Sequence, residues 1–234
     1  MTYEEYIENK ESNKKRILEY MEAGVTFLDI DTVFIDDGVK IGEGTVIEPC
    51  VQIRGKTEIG ANCLIGQNSR VENSILSDNV NILSSVVLES KIGSGTNVGP
   101  FAYLRPNSVV GRNCKIGDFV EVKNSTLGDG TKASHLTYIG DSDLGNDINL
   151  GCGVVFVNYD GTNKYRSTIE DGAFIGCNTN LVSPVNVGKG AYIAAGTTVT
   201  KDVPEDALCV GRARQKVIEG WAEERGLYRK NKDK

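Results

Sequence analysis

Histidine and tryptophan are the scarcest residues of this sequence, with one copy each among 234 residues. The six cysteines include no CxxC pair, and the single histidine, His135, leaves too few ligands for a zinc site of the usual spacing. We therefore expect no metal in the chemistry of this chain. We interpret the scattered cysteines as reduced thiols that serve as small packing residues.

Aromatic residues are also few, at 7% of the chain, whereas glycine occurs 27 times. This balance indicates many tight corners rather than a core built on packed rings. No apolar run reaches the length of a membrane span, and no signal segment opens the chain. We expect a cytoplasmic protein without a membrane span.

Positive charge is in deficit, because 26 lysines and arginines face 32 aspartates and glutamates, for a net charge of −6. Such a balance argues against nucleic acid as a partner. The phosphate loop GxxxxGK, the dinucleotide motif GxGxxG and the metalloprotease motif HExxH are all missing. No serine or cysteine has a second histidine to activate it, which disfavours covalent catalysis by a separate pair.

What the sequence does contain is a repeat, in which an aliphatic residue returns every six positions from Ile35 to Val199. Glycine often follows the aliphatic residue, as in Ile41-Gly42 and Ile175-Gly176. A period of six matches neither the 3.6 of a helix nor the two of a half-buried strand, and it is typical of a parallel β-helix. We therefore predict an all-β fold, a left-handed parallel β-helix whose aliphatic residues stack inside.

The repeat also sets the predicted boundaries. Residues 1–24 are charged and lack the repeat, with helix-like apolar spacing before Gly24, which predicts a short N-terminal helical segment. Residues 25–203 form the β-helix, and residues 204–234 form a C-terminal tail. One interval in the β-helix is seven residues too long, which predicts that residues 157–168 leave the coil as a loop on the functional side.

The coil register converts positions in the sequence into positions in space. Arg105 and Lys123 are one coil apart and directly follow inward aliphatic residues, so they should stack and attract an anion, unless they are two solvated surface charges. Four residues that each come two positions after an inward residue should form one column, namely His135, Cys152, Cys177 and Ala195. Because three of them are small, the column should be a groove of about 15 Å that suits an extended thiol arm.

His135 is the candidate general base at one end of this groove. A lone histidine is often only a packed or surface residue. Here Tyr138 and Asn149 should flank it on adjoining rungs, and the loop offers further polar groups. An imidazole with a near-neutral pKa is suited to take a proton from an attacking amine.

Four stretches of the chain carry a resemblance to a known family. They are VGPFAYLRP (98–106), GDFVEVKNSTLGDGTKASHLTYIGDSDLGNDINLGCG (117–153), VNYDGTNKY (157–165) and AYIAAGTTVTKDVPEDAL (191–208). From about residue 24 to 221 the chain resembles the C-terminal acetyltransferase domain of the bacterial bifunctional enzyme that makes UDP-N-acetylglucosamine. This domain is a glucosamine-1-phosphate N-acetyltransferase, and SHLTYIGD and NYDGTNK are specific to it.

The resemblance implies acetyl-CoA as co-substrate, an amino sugar phosphate as acceptor, and His135 as general base. The implied sugar-phosphate contacts are Arg105, Lys123, Tyr138, Asn149 and Lys164. The implied acetyl-CoA contacts are Cys152, Asn158, Tyr159, Cys177, Ala195 and Arg212. It also implies a homotrimer with sites between subunits.

The sequence departs from the family pattern in three places. A uridylyltransferase domain with its glycine-rich loop is missing, Cys177 stands where the family usually has serine, and Cys152 stands where it usually has alanine. Two other functions stay open, namely a related acyltransferase acting on another amino sugar or nucleotide-linked sugar, and a non-catalytic trimer that scaffolds a separate uridylyltransferase. A pure scaffold would need neither His135 nor the cations around it.

Overall fold

A parallel β-helix with three faces forms the body of the chain in the computed structural model, which describes residues 1–227. Every strand pair between neighbouring coils is parallel, with the inward residues in register, as in Leu104↔Val122 and Val122↔Ile139. The predicted left-handed β-helix is confirmed. The repeat folds in this way because each coil buries its aliphatic residues only by stacking on the next coil.

The strands, numbered in chain order, fall on three faces within the described residues. Face A contains β1 (Thr26–Phe27), β4 (Val46–Ile47), β7 (Leu64–Ile65), β10 (Asn81–Ile82), β13 (Asn97–Val98), β16 (Lys115–Asp118), β19 (Lys132–His135), β22 (Asn149–Leu150), β25 (Phe174–Ile175), β28 (Tyr192–Ile193) and β30 (Leu208–Cys209). Face B contains β2 (Phe34–Ile35), β5 (Gln52–Arg54), β8 (Arg70–Glu72), β11 (Val86–Leu88), β14 (Tyr103–Leu104), β17 (Glu121–Lys123), β20 (Tyr138–Gly140), β23 (Val155–Val157), β26 (Asn180–Val182) and β29 (Thr198–Val199). Face C contains β3 (Lys40–Ile41), β6 (Glu58–Ile59), β9 (Ile75–Leu76), β12 (Lys91–Ile92), β15 (Val109–Val110), β18 (Thr126–Leu127), β21 (Ser142–Leu144), β24 (Ser167–Ile169) and β27 (Asn186–Val187).

One helix, α1 (Tyr3–Glu22), closes the first coil. It begins at a capping box in which Thr2 and Glu5 satisfy each other's backbone N–H groups, and it ends before Gly24, whose φ of 88° favours glycine. Ile17 is its one buried residue and joins the core of the β-helix. The side chain of Asn13 donates to the Val33 carbonyl at 2.8 Å and accepts from the Ile35 N–H at 2.9 Å, so the helix satisfies the backbone of the first coil.

Two boundaries differ from those predicted. Val157 and Ser167 belong to strands, so the segment that leaves the coil is 158–166, narrower than the predicted 157–168. The predicted tail 204–234 contains strand β30, which adds one more rung to face A by pairing with β28. It also contains the short helix α2 (Trp221–Glu224), and its end, residues 228–234, lies outside the described residues. Neither helix within residues 1–227 is both long and apolar enough to cross a membrane.

The burial of Ile17 generates a stability prediction. We expect Ile17→Ala to lower the free energy of unfolding by about 2–5 kcal/mol, because the fully buried side chain would leave a cavity between α1 and the first coil. Leu18→Ala on the same helix is the matched control, since Leu18 is 45% exposed and its loss should cost under about 0.5 kcal/mol. Urea unfolding followed by circular dichroism measures both, and equal losses would contradict the docking of α1 through Ile17.

Candidate active site

The edge between faces A and B carries a column of residues that follow the inward positions of face A. Its members are His135, Cys152, Cys177 and Ala195, because Ala133, Leu150, Ile175 and Ile193 are paired in register. Backbone hydrogen bonds follow the column from rung to rung, from the Asn178 N–H to the Cys152 carbonyl and from the Gly196 N–H to the Cys177 carbonyl, both at 2.8 Å. We call these four residues, together with Asp118 on the rung above His135, the A–B column.

That residue above His135 is Asp118, which the sequence analysis missed. Asp118 and His135 are register partners in β16 and β19, and the Asp118 Oδ1 lies 2.6 Å from the His135 Nδ1. The hydrogen bond from the imidazole lowers the pKa of Asp118, so the carboxylate is charged at neutral pH. A carboxylate on Nδ1 fixes the tautomer in which Nδ1 carries the proton and the Nε2 lone pair is free to act as a base.

At the other end of the column, the guanidinium of Arg212 donates from Nη1 to the carbonyl of Ala195. Two residues predicted to contact acetyl-CoA are thereby brought together, one from the β-helix and one from the segment after it. Cys177 and Ala195 are exposed and Cys152 is half-buried, so this part of the column is accessible from solvent.

A second polar cluster lies on the next face of the same coils, around the carboxylate of Asp141. The Lys123 Nζ lies 2.9 Å from Asp141 Oδ2, and the Asn124 side-chain amide donates to Asp141 Oδ1 at 2.6 Å. The amide of Asn158, at the start of the excursion, donates to the same carboxylate and lies 3.5 Å from the phenol oxygen of Tyr138. Three predicted site residues therefore meet around Asp141, which the sequence analysis did not name.

The charges in this cluster stabilise each other. The side chains of Lys123 and Asp141 are only 17% and 10% exposed. Burial opposes the charged form of both groups, but hydrogen bonds and mutual attraction outweigh it. The pKa of Lys123 is raised by its pairing with Asp141, and the pKa of Asp141 is lowered by the hydrogen bonds from Asn124, Lys123 and Asn158 and by the charge of Lys123. Gly140 keeps space for this arrangement, because a Cβ there would collide with the phenol oxygen of Tyr138.

Arg105 lies one rung above Lys123, as the register predicted, but the two cations do not form a bare pair. Arg105 Nη1 is 2.8 Å from Glu121 Oε1, and the two side chains are 38% and 39% exposed. The hydrogen bond that Arg105 donates to Glu121 raises the pKa of Arg105, which is charged at any physiological pH. Each cation of the stack thus has its own carboxylate.

The excursion 158–166 brings exposed groups to this side of the coil. Tyr159 and Lys164 form an isolated antiparallel bridge within it, and the turn between them is held by the Asp160 carboxylate, which accepts from the Thr162 and Asn163 N–H groups. The side chain of Lys164 lies close to the Lys123 ammonium.

The excursion rejoins the coil at Arg166, which fixes its base. The Arg166 guanidinium donates to Asp143 and to the carbonyls of Asn124 and Ser142. One side chain thereby ties the end of the excursion to two rungs of the coil.

Two predicted placements differ in detail. Tyr138 begins β20 on the same coil as His135, not on an adjoining rung. Asn149 is on the adjoining rung but outside the column, since it pairs with Lys132 on the outer surface of face A. Within one chain, Asn149 therefore lies apart from the cluster around Asp141.

The residues that were missed had a signal in the register. Asp118 comes two positions after the inward Ile116, just as His135 comes two positions after Ala133, so extending the column by one rung finds it. Asp141 had no such signal. It is one position beyond Gly140, the register partner of Lys123, and its approach to the Lys123 ammonium depends on how the corner turns.

Comparisons with known proteins identify the repeat and several relatives of the chain. The model of the family "Bacterial transferase hexapeptide (six repeats)" matches residues 38–73, 89–124 and 166–201. The bifunctional protein GlmU of Alkaliphilus metalliredigens is 49% identical over 228 residues, which are 97% of this chain and 50% of that protein. GlmU of Thermodesulfovibrio yellowstonii is 55% identical over 207 residues, which are 88% of this chain and 46% of that protein.

The chain shares the hexapeptide repeat of that family over these three segments. It spans about half the length of the curated relatives that it matches, which confirms the predicted resemblance to one domain of a bifunctional protein. Among solved structures, the UDP-N-acetylglucosamine acyltransferase of Francisella novicida aligns with a TM-score of 0.56 and 20% identity, over 83% of this chain and 72% of that chain. At that identity, the likeness concerns the fold alone.

The buried pair predicts how stability depends on pH. We expect Asp141→Asn to lower the free energy of unfolding at neutral pH by roughly 1.5–3 kcal/mol, because Lys123 would keep its charge without its partner. The pKa of Asp141 is lowered on folding, so its carboxylate stabilises the folded state. This stabilisation is complete above the ordinary aspartate pKa of about 3.9 and is lost as the pH falls through the lowered pKa of the folded state. The difference between the urea midpoints of wild type and variant should therefore shrink in the acid range.

Asp129→Asn is the matched control for this prediction. Asp129 pairs with Arg112 at an exposed corner, where the two side chains are 41% and 68% exposed, and exposed ion pairs contribute little to stability. A midpoint shift of equal size in both variants would show that Asp141 is not the structural centre of its cluster.

Proposed function

We propose that this chain transfers the acetyl group of acetyl-CoA to the 2-amino group of glucosamine 1-phosphate, giving N-acetylglucosamine 1-phosphate. The observation that carries the proposal is the Asp118–His135 pair, a base fixed by a carboxylate at 2.6 Å, at the corner between face A and the face that carries Lys123. The similarity to GlmU proteins over nearly the whole chain supports the same conclusion.

The chemistry needs one base in one position. The uncharged amine attacks the thioester carbonyl, a carbon–nitrogen bond forms, and the tetrahedral intermediate loses a proton from nitrogen as the carbon–sulfur bond breaks. The free Nε2 of His135 accepts that proton, while Asp118 stabilises the imidazolium that forms. The products are the amide and the CoA thiol, which recovers a proton.

The acceptor's phosphate would be held by Arg105, Lys123 and Lys164. The pair of Arg105 with Glu121 is more than a third exposed, and such pairs are weak, so Arg105 is free to turn from Glu121 to a phosphate. Lys123 is held in place by Asp141 and presents its charge from a fixed position. Tyr138, whose phenol oxygen lies beside the same cluster, would orient the sugar hydroxyl groups.

The A–B column below His135 suits the thiol arm of acetyl-CoA. Its residues after His135 are small, and the four rungs cover about 15 Å at the usual strand spacing. Peptide groups at the edge of the coil can pair with the amides of such an arm. Arg212, at the far end, adds a cation for the phosphates of the nucleotide.

We also propose a homotrimer, from an apolar ridge directly beside the A–B column. Phe101, Phe119 and Leu136 are stacked at the corner on three successive rungs, are 59%, 58% and 57% exposed, and have φ values of 61°, 55° and 49°. The left-handed region costs a bulky residue about 1–3 kcal/mol, and on later rungs the same corner carries residues that tolerate it, such as Gly153 and Asn178.

Strain and exposure together on three rungs indicate that another surface covers the ridge. We assign that surface to a second copy of the chain, since closed symmetric assemblies of identical chains are the usual oligomers of soluble proteins. Because Phe119 and Leu136 directly follow Asp118 and His135, an interface there would place residues of the neighbouring subunit beside the base.

A thiol-release assay tests the proposed reaction. Acetyl-CoA with glucosamine 1-phosphate should release CoA far faster than with glucosamine 6-phosphate or a nucleotide-linked amino sugar. His135→Ala should lower kcat by about 10²–10⁴-fold while binding of acetyl-CoA persists, because only proton removal is lost. A variant that retains more than about half of the wild-type kcat would rule out His135 as the base.

Light scattering tests the assembly. The wild-type chain should have three times the mass of one chain of 25.3 kDa. Phe119→Asn relieves the backbone strain, since asparagine tolerates positive φ, but it removes an apolar contact, so it should shift the assembly towards monomer on dilution. If Phe119→Asn raises the melting temperature and leaves the mass unchanged, the ridge is not an interface.

A further inference from the structure

Two cysteines occupy neighbouring rungs of the A–B column. Cys152 follows β22 and Cys177 follows β25, and these strands are paired in register through Leu150 and Ile175. The Asn178 N–H donates to the Cys152 carbonyl at 2.8 Å, which holds the two chain segments side by side at this point. Cys177 is exposed and Cys152 is half-buried, and both are free thiols.

The spacing of the rungs places the Cα atoms of these two residues within the range that a disulfide spans. Neighbouring strands lie about 4.8 Å apart, and disulfides join residues whose Cα atoms are about 4.4–6.8 Å apart. Cys152 and Cys177 each come two residues after their strand, in equivalent turns at the same corner of the coil. A disulfide between them would join two neighbouring turns at the surface and would leave the inward residues Leu150 and Ile175 in place.

The other cysteines of the chain lack this combination of a partner and access. Cys63 and Cys114 are buried, each donates its thiol to a backbone carbonyl at 3.2 Å, and burial raises the pKa of both. Cys50 is exposed but is far from the column in the coil order, at the corner that follows β4. Cys209 occupies the inward register position of β30, paired with Ile193.

We propose that Cys152 and Cys177 are a modification site at which an intramolecular disulfide forms and is reduced again. The oxidant is a low-molecular-weight disulfide. One cysteine thiolate attacks it to give a mixed disulfide and release one thiol, and the second cysteine displaces the other half. One sulfur–sulfur bond breaks and one forms, the two cysteine protons end on the two released thiols, and the small disulfide is reduced as the cysteine pair is oxidised.

The disulfide has a consequence that rests on the proposed function. The pair lies directly below His135 in the groove assigned to the thiol arm of acetyl-CoA. A cross-link there draws two rungs of the groove together and replaces two mobile thiols by a rigid bridge. The oxidised chain is therefore expected to lose acetyl-CoA turnover, and acetyl-CoA is expected to slow the oxidation.

Mass spectrometry tests the site without any activity measurement. The full chain is treated with 2-hydroxyethyl disulfide, quenched with acid and digested, and the peptides containing Cys152 and Cys177 are examined for a mutual cross-link. We expect the cross-link in wild type, an adduct on the remaining cysteine in Cys152→Ser and in Cys177→Ser, and an adduct on Cys50 in all three. Separate adducts on both cysteines of wild type, or no modification there while Cys50 is modified, would overturn the proposal.

Turnover before and after oxidation tests the consequence. Each protein is compared with its own reduced form, so the basal rates of the variants do not matter. Oxidation should abolish CoA release by wild type, and dithiothreitol should restore it. The double variant Cys152→Ser/Cys177→Ser has no thiol in the column, so the oxidant should leave its rate as it was in the reduced form. A cross-linked chain with full turnover would refute the claim that the disulfide blocks acetyl-CoA turnover. A reduced chain without turnover would instead refute the proposed function, and the disulfide would still be tested by mass spectrometry.

Discussion

The structure depends on the stacking of one inward aliphatic residue on the next, coil after coil. Each short strand buries almost nothing by itself, and its inward residue is shielded only when the coils above and below are in register. A slip of one residue would turn the inward position outward. The core therefore fixes the lateral position of every surface residue, and His135, Cys152 and Cys177 form a column because Ala133, Leu150 and Ile175 do.

This constraint explains how far the sequence could be read. The β-helix, the A–B column and the stacking of Arg105 above Lys123 all follow from counting sixes. The ion pairs do not, because Glu121 and Asp141 reach the cations through side-chain rotamers and a turn at the corner, which a count of residues does not contain. The limits of the excursion and strand β30 were missed for a related reason. These strands form backbone hydrogen bonds with the neighbouring coil at positions where the six-residue spacing of aliphatic residues has already ended.

The candidate site combines a rigid part with a part that can rearrange. Lys123, Asp141 and Asn158 are buried or nearly so and share hydrogen bonds, so they have one arrangement. Arg105, His135 and Lys164 are more exposed and reach the solvent that carries the substrates. The tie of Arg166 to the coil keeps Asn158 in the rigid part although it begins an excursion. Binding of an anion thus needs a change in the exposed groups only.

The way α1 covers the first coil bears on the solubility of the whole molecule. A β-helix has a free edge at each end, and such an edge can pair with another chain and grow into a fibre. Here the Asn13 amide occupies the Val33 carbonyl and the Ile35 N–H, and the Tyr20 hydroxyl occupies the Val39 carbonyl at 2.6 Å. These are the groups that an incoming strand would use. The helix α1 thus prevents another copy of the β-helix from adding to this end and extending the stack of coils.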